Sequence, residues 1–212
     1  MKIYSYVVKS DSGFAPNPFW GYCTLATCKP VIRRTAKKGD WVIGTGSVKN
    51  VGHNKLIYAM KVTEVMPLED YWDDKRFAKK KPGKRIKESV GDNIYYRDEE
   101  GIGQHFPSIH SYSDREDLKS KCHDLKGKNV LISQSGNFYY FGRNAPKIPE
   151  SLLCLIKRGP SHKCNFPQDV VNEFLRWTQE KKLGINGYPC GYSEQRKSCI
   201  ERKDKYKSRS RK

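Results

Sequence analysis

Three side chains in this sequence have the chemistry of a reaction centre: the carboxylate of Asp11, the thiol of Cys28 and the imidazole of His110. Cys28 is followed by the cation Lys29 and by Pro30, a residue suited to the first position of a helix. A cationic neighbour at a helix start is the setting that makes a thiol nucleophilic. An imidazole titrates near neutrality and can take and return a proton. Each group also has a plainer reading: a turn-capping carboxylate, a small buried cysteine, a structural histidine hydrogen bond. Neither GxxxxGK[ST] nor GxGxxG occurs, so no nucleotide cofactor is expected.

Around Asp11 the sequence reads DSGFAPNPFWGYCTLATCKP, residues 11–30, almost without charge in a chain that is 30% charged. Asp11, Ser12 and Gly13 offer a carboxylate, a hydroxyl and free backbone to a base edge or a sugar. Phe14, Phe19 and Trp20 could stack a base, and Asn17, stiffened between Pro16 and Pro18, could read one. Core packing is the alternative for the aromatics and a turn for the asparagine. Lys29, Arg33 and Arg34 follow as phosphate ligands, although the last two cannot face one way on a helix. Thr45 and Ser47 end a strand where further lining would sit.

The chain holds seven cysteines, an odd number with irregular spacing, which argues against a disulfide framework. Cys23 and Cys28, with Cys122, His123, His162 and Cys164 as partners for a second half-site, match no standard zinc spacing, so no metal site is expected.

Lysine and arginine total 41 against 23 acids, a net charge of +18 over 212 residues. That imbalance concerns partners rather than fold, and it points to nucleic acid or a polyphosphate. No basic amphipathic helix suggests a membrane, and no run approaches the roughly 18 apolar residues of a spanning helix. The start, MKIYSYVVKS, lacks the apolar core of a signal peptide. A cytoplasmic location is expected.

Alternation predicts strands at Lys2 to Val8, Trp41 to Gly44 and Lys55 to Val65, the last two as a hairpin. A second hairpin is expected from Asn129 to Ser133 and Phe138 to Phe141, across Gly136-Asn137. GDNIYY, 91–96, enters another short strand. Helices are expected at Pro30 to Lys37, Pro67 to Trp72, Ser113 to Asp124 and, strongly amphipathic, Phe166 to Lys182. Lys75 to Glu88, with eight basic residues, reads as a mobile loop, and Asp98 to Ser111 as a second loop. One domain over 1–190, with the amphipathic helix at about 167–182, would be followed by a basic disordered tail, 191–212. The class is α+β.

The succession YSYVV, DSGFAPNPF, GYCTLATCKPVIRR, GDWVIGTGS, LIYAMKVTE, GDNIYY, HSYSD, GKNVLIS and FYYFG resembles the nucleotide modification associated domain family, second type, over about Met1 to Pro149. That resemblance implies a role around modified nucleotides in DNA, with DNA or a modified nucleotide, and other DNA-modification proteins, as partners. A coarser similarity of RRTAKKGDWVIGTGS is to the PUA-like group of ASCH, EVE and YTH-type readers. It implies a small, mixed, partly closed β-barrel with peripheral helices. The expected function is therefore recognition of a modified base through an aromatic and polar pocket beside a basic patch. The alternative is an enzyme of nucleotide or DNA base modification using Asp11, Cys28 and His110.

Overall fold

Sequence alternation becomes strand wherever one face can be covered. The computed structural model describes residues 1–85 and 87–191. In chain order the elements are β1 (Ile3–Val7), β2 (Tyr22–Leu25), α1 (Pro30–Thr35), β3 (Trp41–Thr45), β4 (Leu56–Lys61), β5 (Glu64–Pro67) and α2 (Leu68–Asp73). There follow β6 (Tyr95–Asp98), β7 (Gly101–Gln104), α3 (Leu118–Leu125), β8 (Asn129–Gln134), β9 (Phe138–Tyr140), α4 (Gln168–Gln179) and β10 (Gly184–Ile185). Short 3-10 helices cover Lys75–Lys80, Glu88–Val90, Gly142–Asn144 and Glu150–Leu155.

The strands form a five-stranded sheet, β1-β3-β4-β9-β10, a three-stranded sheet, β2-β8-β5, and the β6-β7 hairpin. β1 runs parallel to β3 and β10 parallel to β9, so the larger sheet is mixed. The α+β class holds. Among the described residues the sheets stay separate and close no barrel.

The three-stranded sheet is the middle layer, and its period-2 pattern says so. Cys23, Leu25 and Leu131 join the core of the five-stranded sheet with Tyr6, Val42 and Tyr58. Val130 and Ile132 point the other way, to Phe14, Tyr71 and Phe77. Both faces are covered, which is why NVLIS is a continuous apolar run. On the larger sheet's other side α4 presents Val171 and Phe174, with Phe174 edge-on to Trp41 at 6.2 Å.

Several expectations change. The Lys55 to Val65 alternation is two strands, because the chain changes sheets between them. The Val62 amide bonds Asp40 O (2.7 Å), whereas that of Thr63 bonds Ile132 O (2.8 Å). The Gly136-Asn137 turn does not make a hairpin either: β8 pairs with β2 and β5, β9 with β4 and β10. The lysine-rich segment is anchored rather than loose. Phe77 and Lys80 are buried, and Arg76 pairs with Glu64 and Asp74 at 2.9 and 2.6 Å. α3 starts four residues beyond the expected serine-aspartate cap, with Asp117 accepting the Ser120 amide (3.3 Å). The loop expected over 98–111 contains β7. The basic tail lies outside the described residues, except for Gly191.

Candidate active site

The turn between β2 and α1 carries two consecutive non-glycine residues in the left-handed region, Cys28 at φ 57° and Lys29 at φ 40°. Each such residue costs about 1–2 kcal/mol. The turn is held from both sides. The Cys28 amide donates to Asp124 Oδ1 (2.6 Å), and the Cys28 carbonyl accepts from Arg33 Nε (2.8 Å). Pro30 then starts α1 with its preset φ and turns the chain away. The outcome is a sharp strand-to-helix elbow with a cysteine at its apex. The nucleophile elbow of hydrolases is alike in local shape alone.

The sulfur faces a histidine. Cys28 Sγ lies 3.5 Å from His110 Nε2, and His110 Nδ1 lies 2.6 Å from Asp124 Oδ2. Since an ionised carboxylate only accepts, Nδ1 carries a hydrogen and donates it. Tyr95 donates its hydroxyl to the same Asp124 oxygen (2.8 Å), and Gln104 Nε2 bonds both Tyr95 Oη (3.2 Å) and the His110 carbonyl (3.1 Å). Phe14 packs edge-on to the imidazole at 4.7 Å. Each element thus delivers one part: β2–α1 the thiol, the loop after β7 the imidazole, α3 the carboxylate, and the β6-β7 hairpin the brace.

Burial disfavours a charged His110, but the Asp124 hydrogen bond and the facing Cys28 outweigh it, and His110 is pushed up to about 10. Burial would raise Asp124, yet His110 and Arg33 hold it below its ordinary value. At neutral pH the imidazole is therefore a cation beside the sulfur. In cysteine nucleophiles generally, an imidazolium beside the sulfur favours the thiolate.

Cys28 Sγ, one His110 nitrogen and one Asp124 oxygen lie within 4.8 Å of one another, a separation a metal could span. The geometry does not suit it. Sulfur and carboxylate address different nitrogens of the ring, and Asp124 already accepts the Cys28 amide, Tyr95 and His110. The arrangement is a chain of thiol, imidazole and carboxylate, the order of groups that an activated cysteine requires.

Half-buried Cys28 forms part of the wall of a cavity of about 470 Å³, which Tyr6, Lys29, Val31 and His162 also line. Lys29 Nζ sits 4.5 Å over the Tyr6 ring, and burial lowers its pKa. The cavity therefore offers a cation and a thiol together, with buried Tyr6 beneath the cation.

Of the residues expected from sequence, Cys28, His110 and Phe14 meet here, and Lys29 lies on the cavity wall. The rest are placed elsewhere. Asp11 is buried, accepting from Tyr140 Oη and from the Cys190 amide (2.9 Å), and desolvation raises its pKa. The carboxylate that serves His110 is Asp124 instead. Gly13 is buried at φ 81° against Pro189, and Ser12 is half-buried beside it. Asn17 is fully buried, donating to Val90 O (2.8 Å) and accepting from Lys80 Nζ (2.7 Å). Phe19 is core, and Trp20 is half-exposed against it at 5.6 Å. Thr45 donates to Tyr6 O (3.3 Å). Ser47 is buried, and its hydroxyl has no partner among the described residues.

Arg33 is fully buried and spends its guanidinium on the carbonyls of Cys28, Ala26, Asn129 and Asp124, so it braces the elbow and presents no charge to a phosphate. Arg34 is on the surface, bonded to Lys126 O (2.9 Å). Sequence reasoning missed Asp124, seen there only as the end of a helix. It stands 96 residues from Cys28 and 14 from His110, and no local pattern links the three.

The family model described as nucleotide modification associated domain 2 matches residues 1–196. No curated protein and no solved structure matches the chain. Among the described residues no helix is long and apolar enough to cross a membrane.

Proposed function

The chain belongs to the nucleotide modification associated domain 2 family, and from that premise we propose that it is a thiol-dependent enzyme of nucleotide or DNA base modification. The reading is carried by the Cys28–His110–Asp124 chain, 3.5 and 2.6 Å between its members, opening on a cavity that also holds the cation of Lys29. The Cys28 thiolate donates its electron pair to an electrophilic carbon of the substrate. The bond displaced from that carbon keeps its electrons, and the His110 Nε2 proton goes to the departing atom. Asp124 holds the ring so that Nε2 faces the sulfur throughout. A second nucleophile, losing a proton to His110, then releases the product and restores the thiolate.

Iodoacetamide labelling at pH 7, resolved by peptide mass spectrometry, tests the nucleophile. Half-buried Cys28 should react faster than exposed Cys122, and His110→Gln should remove that advantage. Incubation with unmodified and base-modified oligonucleotides should give products with the wild type and none with Cys28→Ser. Labelling of Cys28 no faster than Cys122, and unchanged by His110→Gln, would reject the assignment.

A second reading, recognition of a modified base without turnover, is favoured by Lys29 on the cavity wall, which would neutralise a phosphate with no help from the sulfur. It predicts full affinity in Cys28→Ser and no product with the wild type.

A further inference from the structure

A larger groove, about 830 Å³, adjoins the Cys28 cavity, and the two share Val7 and Lys9 in their walls. Its cations come from three stretches of chain: Lys9 after β1, Lys49 between β3 and β4, and Lys157 and Arg158 after the 3-10 helix Glu150–Leu155. Among the described residues neither wall contains an aspartate or glutamate, in a chain with 23 of them. Lys9, Lys49, Lys157 and Arg158 enter no ion pair among the described residues, unlike Arg76, Arg97 and Lys121 elsewhere. Ser47 adds a hydroxyl on the same wall, buried and without a partner among the described residues. A buried hydroxyl left unpaired costs about 1–3 kcal/mol, a cost that a bound acceptor removes. Apolar contact is at hand in Val48, 75% exposed, and Ile156.

We propose that this groove holds single-stranded nucleic acid, its phosphates on Lys49, Lys157 and Arg158 and one of its oxygens accepting from Ser47, with the neighbouring nucleotide passing Lys9 to enter the Cys28 cavity. The inference rests on the thiol reading above and adds the class of substrate: a nucleotide within a strand, not a free one. A free nucleotide needs one cation beside its base, which Lys29 supplies. Cations that continue from the Cys28 cavity into the adjoining groove match a repeating phosphate backbone.

Protection of Cys28 from iodoacetamide tests this, because binding to any other basic part of the chain leaves the thiol open. A single-stranded oligodeoxynucleotide should slow labelling by tenfold or more, whereas a mononucleotide at equal nucleotide concentration should protect little. In Lys49→Gln/Lys157→Gln/Arg158→Gln, all outside the Cys28 cavity, the intrinsic labelling rate should stay as in the wild type and the protection should be lost. The salt dependence of protection should flatten by about two units of log–log slope for three lost phosphate contacts. Ser47→Ala should weaken protection without changing the salt slope. Equal protection by mononucleotide and oligonucleotide, no protection by either, or undiminished protection of the triple variant would each overturn the groove. Failure of the thiol reading shows separately, as a Cys28 whose unprotected labelling does not depend on His110.

Discussion

The Asp124 carboxylate, fully buried, fixes both halves of the candidate chemistry: one oxygen takes the Cys28 amide, the other the His110 ring and the Tyr95 hydroxyl. Orientation of the thiol and charge on the imidazole are therefore coupled through one group. Asp124→Asn should cut the Cys28 labelling rate on the order of 100-fold, the usual scale of a lost acid–base partner, while His110→Gln, which spares the amide bond to Cys28, should do the same with less loss of stability. Equal rates in both variants and the wild type would contradict the coupling. The same pair sets a pH dependence. His110, held at about 10 against an ordinary 6.5, binds its proton more tightly folded than unfolded. The resulting stabilisation is complete below about pH 6.5 and is lost as the pH rises through 10. Tm followed from pH 6 to 10 should fall, and fall less in His110→Gln; parallel curves would show that the imidazole is not the group responsible.

At the scale of elements, the elbow depends on a cation whose sequence context suggested a phosphate ligand. Arg33 lies one helical turn after Cys28, so its side chain folds back along α1 and reaches the carbonyls of the turn that α1 leaves. Gly127, just after α3, lies flat against the guanidinium, and a Cβ there would collide with it. Because Arg33 is tied to four carbonyls it cannot swing aside, and Gly127→Ala should cost about 1–3 kcal/mol by overpacking. Urea unfolding should show that as a lower midpoint at unchanged slope; a neutral substitution would mean that the guanidinium is free to move. Arg33 also marks how far the sequence could be read. α1, β1 and α4 were legible because proline placement and periodicity are local signals. The direction of Arg33, the switch of sheet at Val62-Thr63 and the meeting of Cys28 with Asp124 are set by contacts between distant segments. No local pattern carries those.

At the scale of the whole molecule, the layers are joined by buried polar ties as well as by apolar contact. Lys80 carries the 3-10 helix Lys75–Lys80 onto the aromatic loop, donating to Asn17 O (3.0 Å), Asn17 Oδ1 (2.7 Å) and Tyr22 O (3.1 Å). Burial lowers its pKa to about 8, and burial raises that of nearby Asp92 to about 6, where Thr24 and Tyr71 hold the carboxylate. Lys80→Met should cost about 3 kcal/mol, because three buried oxygens lose their donor, whereas Lys79→Met, on the exposed side, should cost almost nothing. Comparable losses from the two would place Lys80 in solvent. In sequence both are members of one charge run, and only the packing of Phe77 beneath tells them apart. The clasp between the two ends of the described chain has a consequence for biosynthesis. Asp11 receives the Cys190 amide, its carbonyl the Gly191 amide, and Pro189 covers Gly13. On the ribosome, a chain emerging from its N-terminus must therefore keep a carboxylate bound for the interior waiting for nearly 180 further residues. The aromatic loop next to the thiol settles only once residues 189–191 have been made, so a nascent chain halted before residue 190 leaves that wall of the molecule open.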